Sequence, residues 1–283
     1  MAGDCATRIS DTRRGDRTII LLHGYLESLD VWDDFSTLLA PHMRVVSIDL
    51  PGHGVSQVKG TVHTMEFLAD TVRAAMQTLE IDKAVIAGHS MGGYVALELM
   101  RKYPEAAAGL ILIHSTPDPD SDKKKADRER EIEIIEGGKK ELIAKSFPHV
   151  GFAPQNRKRL EWAIEELSEQ IVMTEDEGIV AILRGISGRS DLNEAMREST
   201  VPQLLIFGRH DEYVTPETAE ATIAAHPQAE VLWLENSGHM GFIEEPEKTA
   251  EAVTGFVGRI FGETQPEKNG VANKAPHDND KTD

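Results

Sequence analysis

The sequence predicts an α/β protein in which a mostly parallel, doubly wound sheet is interrupted by a helical insertion. Six short apolar runs show little alternation with polar residues, which is typical of strands buried on both faces of a parallel sheet. Stretches with apolar residues at helical spacing separate most of these runs, and alternating strands and helices form a doubly wound sheet. The six runs cover residues 18–22, 44–48, 84–87, 109–113, 203–207 and 230–234.

Several helices between these runs are assigned from the spacing of apolar residues and from capping residues. Leucine, valine and alanine at positions 68–79 form one stripe, and Thr64 is the predicted N-cap of that helix. A second stripe covers residues 31–39, and the last covers residues 253–260, with Pro246 near its start. Each stripe predicts a helix that packs one apolar face on the sheet.

The alternation stops between about residues 118 and 200, where several helical stripes occur without a convincing strand. We therefore expect a helical cap over residues 118–200, inserted into a core domain formed by residues 1–117 and 201–261. Residues 262–283 are polar with almost no apolar side chains. This tail is expected to be disordered, because it buries too little surface to offset its ordering entropy.

The predicted cap opens with a run of mixed charges at residues 122–131. Such a run usually forms the solvated face of a helix, which is the favoured interpretation. The alternative is that Arg128 or Arg130 turns inward to hold a substrate carboxylate.

Composition excludes several classes of function. The chain of 283 residues carries a formal net charge of −18 at pH 7, which disfavours nucleic acid as a partner. Its apolar runs are too short to cross a bilayer, and residues 1–10 lack the apolar segment of a signal peptide. The single cysteine, Cys5, excludes an intrachain disulfide. We expect a cytoplasmic protein without a membrane partner, either a monomer or a homodimer.

Residues 88–92, Gly-His-Ser-Met-Gly, lie between a predicted strand and a predicted helix. A serine on a sharp turn of this kind is held in a strained conformation that keeps its hydroxyl clear of the sheet. Gly88 and Gly92 leave room where side chains would collide with the strand and the helix. The sequence therefore predicts Ser90 as a nucleophile.

A serine hydroxyl needs a base within hydrogen-bond reach, and that base needs an acid to orient it. Asp211 follows the run 203–207, and His239 follows the run 230–234. Ligands bind at the carboxyl edge of open α/β sheets, where all three residues then meet. The prediction is a Ser90–His239–Asp211 triad, with Asp118 as the rival acid.

The reaction also needs donors for a developing oxyanion. His23-Gly24-Tyr25 leads from a strand into a tight loop, where Gly24 permits a close approach to substrate. The backbone N–H groups of Tyr25 and Met91 are the predicted pair of donors. For His23 the favoured role is structural.

Other polar residues close to these motifs are open to more than one interpretation. Asp49 and His53 lie in a turn rich in glycine and proline, and a structural role is favoured for both. His114, His89 and Met240 are candidates for the substrate pocket. For His114 a packed, hydrogen-bonded position is slightly favoured over contact with substrate.

Together these motifs resemble the cap-bearing branch of the α/β-hydrolase superfamily. The resemblance covers residues 18–261 apart from the cap, and it implies an α/β-hydrolase fold with a serine triad. A triad hydrolase needs no cofactor, and no metal site is expected. Ser90 departs from haloalkane dehalogenases and epoxide hydrolases of this fold, which carry aspartate there. The matching stretches are residues 23–25, 49–54, 88–93, 208–211 and 237–239.

Three functions are open at this point. The first is a serine hydrolase that cleaves a small carboxylic ester, lactone or thioester through an acyl-enzyme. The second is a C–C bond hydrolase or menaquinone-pathway-type lyase that uses the same triad on an anionic substrate held by cap arginines. The third is a non-catalytic ligand-binding scaffold. The cap arginines are Arg128, Arg130, Arg157, Arg159 and Arg184.

Overall fold

The computed structural model describes residues 5–262, and a seven-stranded sheet forms its centre. The strands are β1 (Ile9–Asp11), β2 (Thr18–Leu22), β3 (Arg44–Ile48), β4 (Ala84–His89), β5 (Ala107–Ile113), β6 (Gln203–Gly208) and β7 (Glu230–Leu234). They lie in the order β1-β3-β2-β4-β5-β6-β7, with β1 antiparallel to β3 and the other neighbouring pairs parallel. The predicted fold class, a mostly parallel doubly wound sheet, is confirmed.

The six predicted strands are present, and three of them extend further than the apolar runs indicated. β4 continues through His89, β5 begins at Ala107 and β6 ends at Gly208. The sequence analysis missed β1, because this edge strand has a single apolar residue, Ile9, in its three positions. Asp11 of β1 pairs with Arg44 of β3 at 2.7 Å, so an ion pair supports strand pairing there.

Eleven helices flank the sheet within the described residues. Thr64 caps α2 as predicted, accepting the Phe67 N–H at 3.2 Å, and Pro246 begins α11. The helices are α1 (Asp33–Leu39), α2 (Met65–Thr78), α3 (Met91–Lys102), α4 (Asp122–Glu136), α5 (Lys140–Gly151), α6 (Glu161–Met173), α7 (Asp176–Ser187), α8 (Asn193–Glu198), α9 (Pro216–Ala225), α10 (Gly241–Glu244) and α11 (Pro246–Ile260).

Both faces of the sheet are buried, as the near-continuous apolar runs predict. Alternate residues of one strand enter two different cores: Ile20 and Leu22 of β2 pack in the core with α2 and α3, whereas Ile19 and Leu21 pack in the core with α1 and α11. All four side chains are fully buried. β4, the middle strand of the seven, lies between these two cores.

Five helices, α4 to α8, lie between β5 and β6, and we call them the cap helices. Their apolar stripes are buried: Leu160, Leu167 and Ile171 are each less than a tenth exposed. The division into core segments 1–117 and 201–261 with a cap over 118–200 stays a prediction. The predicted disordered tail lies outside the described residues from position 263 onward.

The charge run 122–131 forms the first two thirds of α4 and is mostly solvated. Arg130 pairs with Asp127 on the surface at 2.8 Å. Arg128 does turn inward, but its partner is the buried carboxylate of Asp120, which also pairs with Arg189 at 2.5 Å. The inward arginine is therefore bound to a protein carboxylate, which links residues before α4, within α4 and after α7.

Among the described residues, no helix has both the length and the apolarity that a bilayer crossing requires.

Candidate active site

Ser90 occupies the tight turn between β4 and α3, with φ 48° and ψ −113°. A positive φ is strained for a residue with a Cβ, and the strain persists only where packing holds the chain. Packing here requires glycine: a Cβ at Gly88 would strike the Gly92 carbonyl, and one at Gly92 would strike the Leu22 carbonyl. The Ser115 hydroxyl also donates to the Ser90 carbonyl at 2.7 Å. These contacts hold the turn in place, and Ser90 remains partly exposed.

The structure brings His239 and Asp211 together beyond the carboxyl ends of β7 and β6. His239 Nδ1 lies 2.8 Å from Asp211 Oδ2. The other carboxylate oxygen accepts the N–H groups of Tyr213 and Val214 at 2.8 and 2.9 Å. Burial opposes ionisation, yet His239 and a second histidine hold the pKa of the Asp211 carboxyl well below its usual range. The rival Asp118 is exposed and accepts from a side chain of α8 instead.

The second histidine on Asp211 is His114, which has the packed, hydrogen-bonded position that the sequence analysis favoured over the substrate pocket. His114 is fully buried, and its Nδ1 lies 3.0 Å from Asp211 Oδ2. Its Nε2 accepts the Gly241 N–H at 3.2 Å, so Nδ1 carries the proton and the imidazole is neutral. Burial lowers the pKa of His114 to about 4 despite the neighbouring carboxylate. His114 therefore positions Asp211.

The loop that carries His239 is anchored by a residue that the sequence analysis did not single out, the buried Glu244. One Glu244 oxygen accepts the Gly238 N–H at 2.7 Å, and the other accepts the Asn156 side chain at 2.7 Å. The His239 N–H donates to the Gly151 carbonyl of α5 at 2.7 Å. The cap helices and the loop of the predicted base are thus tied together. Long-range contacts of this kind leave no local sequence pattern.

A small cavity of about 20 Å³ lies against Ser90 and His239. Its walls are mostly apolar and aromatic: the Phe147 ring lies 5.7 Å from that of Tyr25 and 5.0 Å from that of Tyr213. A space of this volume holds roughly one water molecule. The lining residues are Tyr25, Leu26, Glu27, Ser90, Phe147, Pro148, Gly151, Leu167, Ile171, Tyr213, His239 and Met240.

Of the three predicted pocket residues, Met240 lines this cavity. Neither His114 nor His89 is among the lining residues in the described part of the chain, and both are fully buried. The ring nitrogens of His89 are engaged by Glu27 and by the His239 carbonyl, so its place in the substrate pocket stays a prediction that these contacts do not support. Glu27 was missed by the sequence analysis and does line the cavity.

The two predicted oxyanion donors belong to different elements: Tyr25 lies in the loop after β2 and Met91 lies in the first turn of α3. Met91 is the first residue of α3, where a backbone N–H has no partner within the helix. Neither the Met91 nor the Tyr25 N–H donates a hydrogen bond to any residue of the described range 5–262. The Tyr25 hydroxyl donates to Glu131 of α4 at 2.8 Å, and this bond fixes the loop against the cap helices.

A structural role was favoured for His23, Asp49 and His53, and each of them accepts a backbone N–H in or next to the loop that follows β2. His23 Nε2 accepts the Leu50 N–H at 2.9 Å. Asp49 is fully buried and accepts the Leu29 N–H at 2.6 Å. His53 Nε2 accepts a backbone N–H of the same loop at 3.3 Å. Each binds backbone groups, so all three are structural.

His114, Asp211 and His239 also form a cluster in which possible metal-ligand atoms lie within 4.8 Å of one another. Both imidazoles direct Nδ1 at the same carboxylate oxygen, Asp211 Oδ2. A metal ligand must offer a lone pair, whereas these nitrogens donate protons. Hydrogen bonding thus accounts for the cluster.

A sequence profile described as the alpha/beta hydrolase family matches residues 19–252. The chain belongs to this family. The match contains Ser90, Asp211 and His239 and most of both cores. The protein is therefore a hydrolase, and the predicted family resemblance is confirmed.

Relatives of this α/β-hydrolase include named esterases. A thermophilic esterase from Thermogutta terrifontis is 30% identical, with a TM-score of 0.86 over 90% of this chain and 94% of that one. Pimeloyl-[acyl-carrier protein] methyl ester esterase of Yersinia enterocolitica is 28% identical over 86% of this chain and 93% of that protein. MenH from S. aureus, at 18% identity and a TM-score of 0.79 over 90% of this chain and 99% of that one, shares the fold.

None of the five cap arginines of this hydrolase lines the cavity at Ser90 within residues 5–262. Arg157 binds the Phe152 carbonyl at 3.0 Å and Glu212 at 3.3 Å. Arg184 binds Glu136 at 3.1 Å. They therefore supply no free positive charge to a substrate at Ser90.

A larger cleft of about 610 Å³ lies outside the site, between α1, α6 and α10. Phe35, Leu160, Trp162 and Phe242 contribute its apolar lining. Leu167 of α6 lines both this cleft and the cavity at Ser90. Leu167 is thus shared by the walls of a very small cavity at Ser90 and of a space large enough for a ligand.

Proposed function

We propose that this α/β-hydrolase is a serine esterase that cleaves small, uncharged carboxylic esters through an acyl-enzyme on Ser90. The observation that carries the proposal is the 2.8 Å bond between His239 Nδ1 and Asp211, which leaves His239 Nε2 as the free ring nitrogen. His239 and Ser90 line the same cavity. A base oriented by a carboxylate beside a serine is the arrangement that activates a hydroxyl.

In the first half of the reaction Ser90 Oγ attacks the acyl carbon, and its proton passes to His239 Nε2. The negative charge that develops on the carbonyl oxygen is held by the Met91 and Tyr25 N–H groups, which have no protein partner in the described range. Asp211 stabilises the imidazolium that forms. Collapse of the tetrahedral species breaks the ester bond, and His239 returns the proton to the departing alcohol.

In the second half a water molecule attacks the acyl carbon and gives a proton to His239. The second tetrahedral species collapses with return of that proton to Ser90 Oγ, which releases a carboxylic acid. One histidine thus acts first as a base and then as an acid in each half.

The size and charge of the site support a short, neutral substrate. The cavity walls are mostly apolar, and the charged cap arginines are bound to protein groups elsewhere. These contacts weigh against a C–C bond hydrolase or lyase whose anionic substrate depends on those arginines. The ordered His239–Asp211 pair weighs against a non-catalytic scaffold.

The proposal is tested by comparing kcat/KM for p-nitrophenyl acetate with that for p-nitrophenyl hemisuccinate, which adds a carboxylate to the acyl chain. We expect the neutral ester to be preferred by about tenfold or more, since burying an unpaired charge costs free energy. Preference for the hemisuccinate would contradict the assignment of a neutral substrate. Failure of a folded protein to hydrolyse either ester, or any longer neutral ester, would contradict the esterase assignment itself.

Leu167→Ala is expected to shift the chain-length preference towards longer acyl groups, because it joins the reaction cavity to the outer cleft. We predict that kcat/KM for p-nitrophenyl octanoate, relative to acetate, rises about tenfold. The variant loses about 2–5 kcal/mol of stability, so the assays are run well below its melting temperature. Leu142→Ala on the exposed face of α5 is the control. An unchanged preference would show that Leu167 does not separate the two spaces.

A further inference from the structure

His89 is a buried, titratable residue that the triad does not use. It ends β4 directly before Ser90 and is fully buried. Its Nδ1 lies 3.0 Å from the Glu27 carboxylate, and its Nε2 lies 2.9 Å from the main-chain carbonyl of His239. His89 therefore bridges the loop that follows β2 and the loop that carries the predicted base.

Both partners of His89 are hydrogen-bond acceptors when Glu27 is ionised. A neutral imidazole has one N–H and one lone pair, so it would place a lone pair against one of these oxygens. The imidazolium, with two N–H groups, satisfies both contacts. Glu27 also accepts the Gly24 N–H at 2.6 Å, a short bond of the kind that a charged carboxylate makes.

The alternative is a neutral pair in which a protonated Glu27 donates to His89 Nδ1. Nδ1 lies 3.0 Å from each of the two carboxylate oxygens, which fits a delocalised carboxylate rather than one hydroxyl and one carbonyl. Burial opposes the charge on both groups, but each partner stabilises the other: the pKa of His89 is raised and that of Glu27 is lowered. The proton therefore resides on His89.

Two further histidines and a glycine lie next to the His89–Glu27 pair. The two nearest other histidines of the site, His114 and His239, have ring centroids 6.0 and 4.7 Å from that of His89. A Cβ at Gly24 would lie 2.8 Å from His89 Nδ1 and 2.9 Å from Glu27 Oε1. Glycine at position 24 thus lets the loop that follows β2 approach the ion pair closely. We call this segment the oxyanion loop, because it carries the predicted oxyanion donor Tyr25.

We propose that His89 is a permanently charged imidazolium and that its ion pair with Glu27 positions the oxyanion loop and the His239 loop on either side of Ser90. The role rests on the proposed function, because it concerns the geometry of that reaction. His89 and Glu27 are positioning residues: they act through the Gly24 N–H and the His239 carbonyl. Their charge is held within the pair, so the site gains rigidity without a net charge.

The charge is tested on the wild-type protein by NMR of ¹⁵N-labelled histidine at pH 7.5, where a free imidazole with a pKa of about 6.5 is mostly neutral. We expect protons on both ring nitrogens of His89, assigned through its contact with the Phe242 ring, whose centroid lies 5.0 Å away. In Glu27→Gln we expect one proton, on Nε2. A single proton on His89 in the wild type would overturn the ion pair.

The positioning role is tested by kinetics of Glu27→Gln. A small displacement of catalytic loops costs up to about a hundredfold in rate, so we expect kcat for p-nitrophenyl acetate to fall ten- to a hundredfold with KM within about threefold. Glu98→Gln is the matched control, since Glu98 is a buried carboxylate paired with Arg101 in α3. Wild-type kcat in Glu27→Gln would overturn the role. The NMR readout needs no substrate, so failure of the esterase proposal is recognised separately.

Discussion

Ser90→Ala is expected to lower kcat for p-nitrophenyl acetate by about a millionfold, because removal of a triad nucleophile eliminates the acylation step. The alanine fits the turn without a new clash, since Ser90 already holds its strained φ of 48° with a Cβ present. Thermal unfolding followed by circular dichroism is therefore expected to stay close to that of the wild type. Measuring kcat and thermal unfolding together distinguishes the loss of the Ser90 hydroxyl from the loss of the folded structure.

The control for this variant is Ser146→Ala, which removes an exposed hydroxyl from α5 that bonds within its own helix. We expect full activity and full labelling by a fluorophosphonate probe in the control, and neither in Ser90→Ala. A folded Ser90→Ala variant that keeps even a tenth of the wild-type rate would show that Ser90 is not the nucleophile.

Asp211→Asn is expected to lower kcat about 10⁴-fold with KM little changed, because the amide no longer selects the productive tautomer of His239. In the wild type, Asp211 Oδ2 accepts the Nδ1 protons of both His239 and His114. An asparagine NH₂ facing these nitrogens would favour the tautomer with the proton on Nε2. In that tautomer the Nε2 atom of His239 has no lone pair with which to accept the Ser90 proton.

Asp118→Asn is the matched control, because Asp118 is the rival acid and is exposed. We expect its kcat to stay within about twofold of the wild type, as is usual for a surface change away from the site. If Asp118→Asn were the damaging variant and Asp211→Asn the harmless one, the assignment of the acid would be reversed.

The core elements and the nucleophile motif were predictable because their signals are local. Buried parallel strands require near-continuous apolar runs, and the turn at Ser90 requires glycine at positions 88 and 92, so both leave a pattern in a few consecutive residues. The positions of Asp211 and His239 after strands then follow from the geometry of a parallel sheet, whose carboxyl ends meet at one edge.

The partners of His89, His114 and two glutamates were not predictable, because they lie far away in sequence. His114 was considered for the substrate pocket, yet it binds an acid 97 positions later. His89 binds Glu27, which is 62 positions earlier. Glu244 binds Asn156 across 88 positions. No periodicity or spacing encodes such pairs, and the edge strand β1 was missed because its pairing also relies on a distant ion pair, Asp11–Arg44.

The size of the reaction cavity was likewise outside the reach of sequence analysis. It is set by side chains from α5 and α6 that meet residues of the core, among them Phe147, Leu167 and Tyr213. Helical stripes predict which residues of a cap are buried but not which element they face. We therefore expect the substrate range to depend on contacts between helices, and Leu167, which lines both spaces, is the position at which we test this.

The most direct test of the account is to mix the protein rapidly with p-nitrophenyl acetate, quench in acid, and locate any acyl group by intact-mass and peptide mass spectrometry. The account predicts one acetyl group per chain, carried by Ser90, formed with a burst of p-nitrophenol and absent from Ser90→Ala. Turnover without any acetyl group on Ser90, or with the acetyl group on another residue, would contradict the central claim of an acyl-enzyme on Ser90.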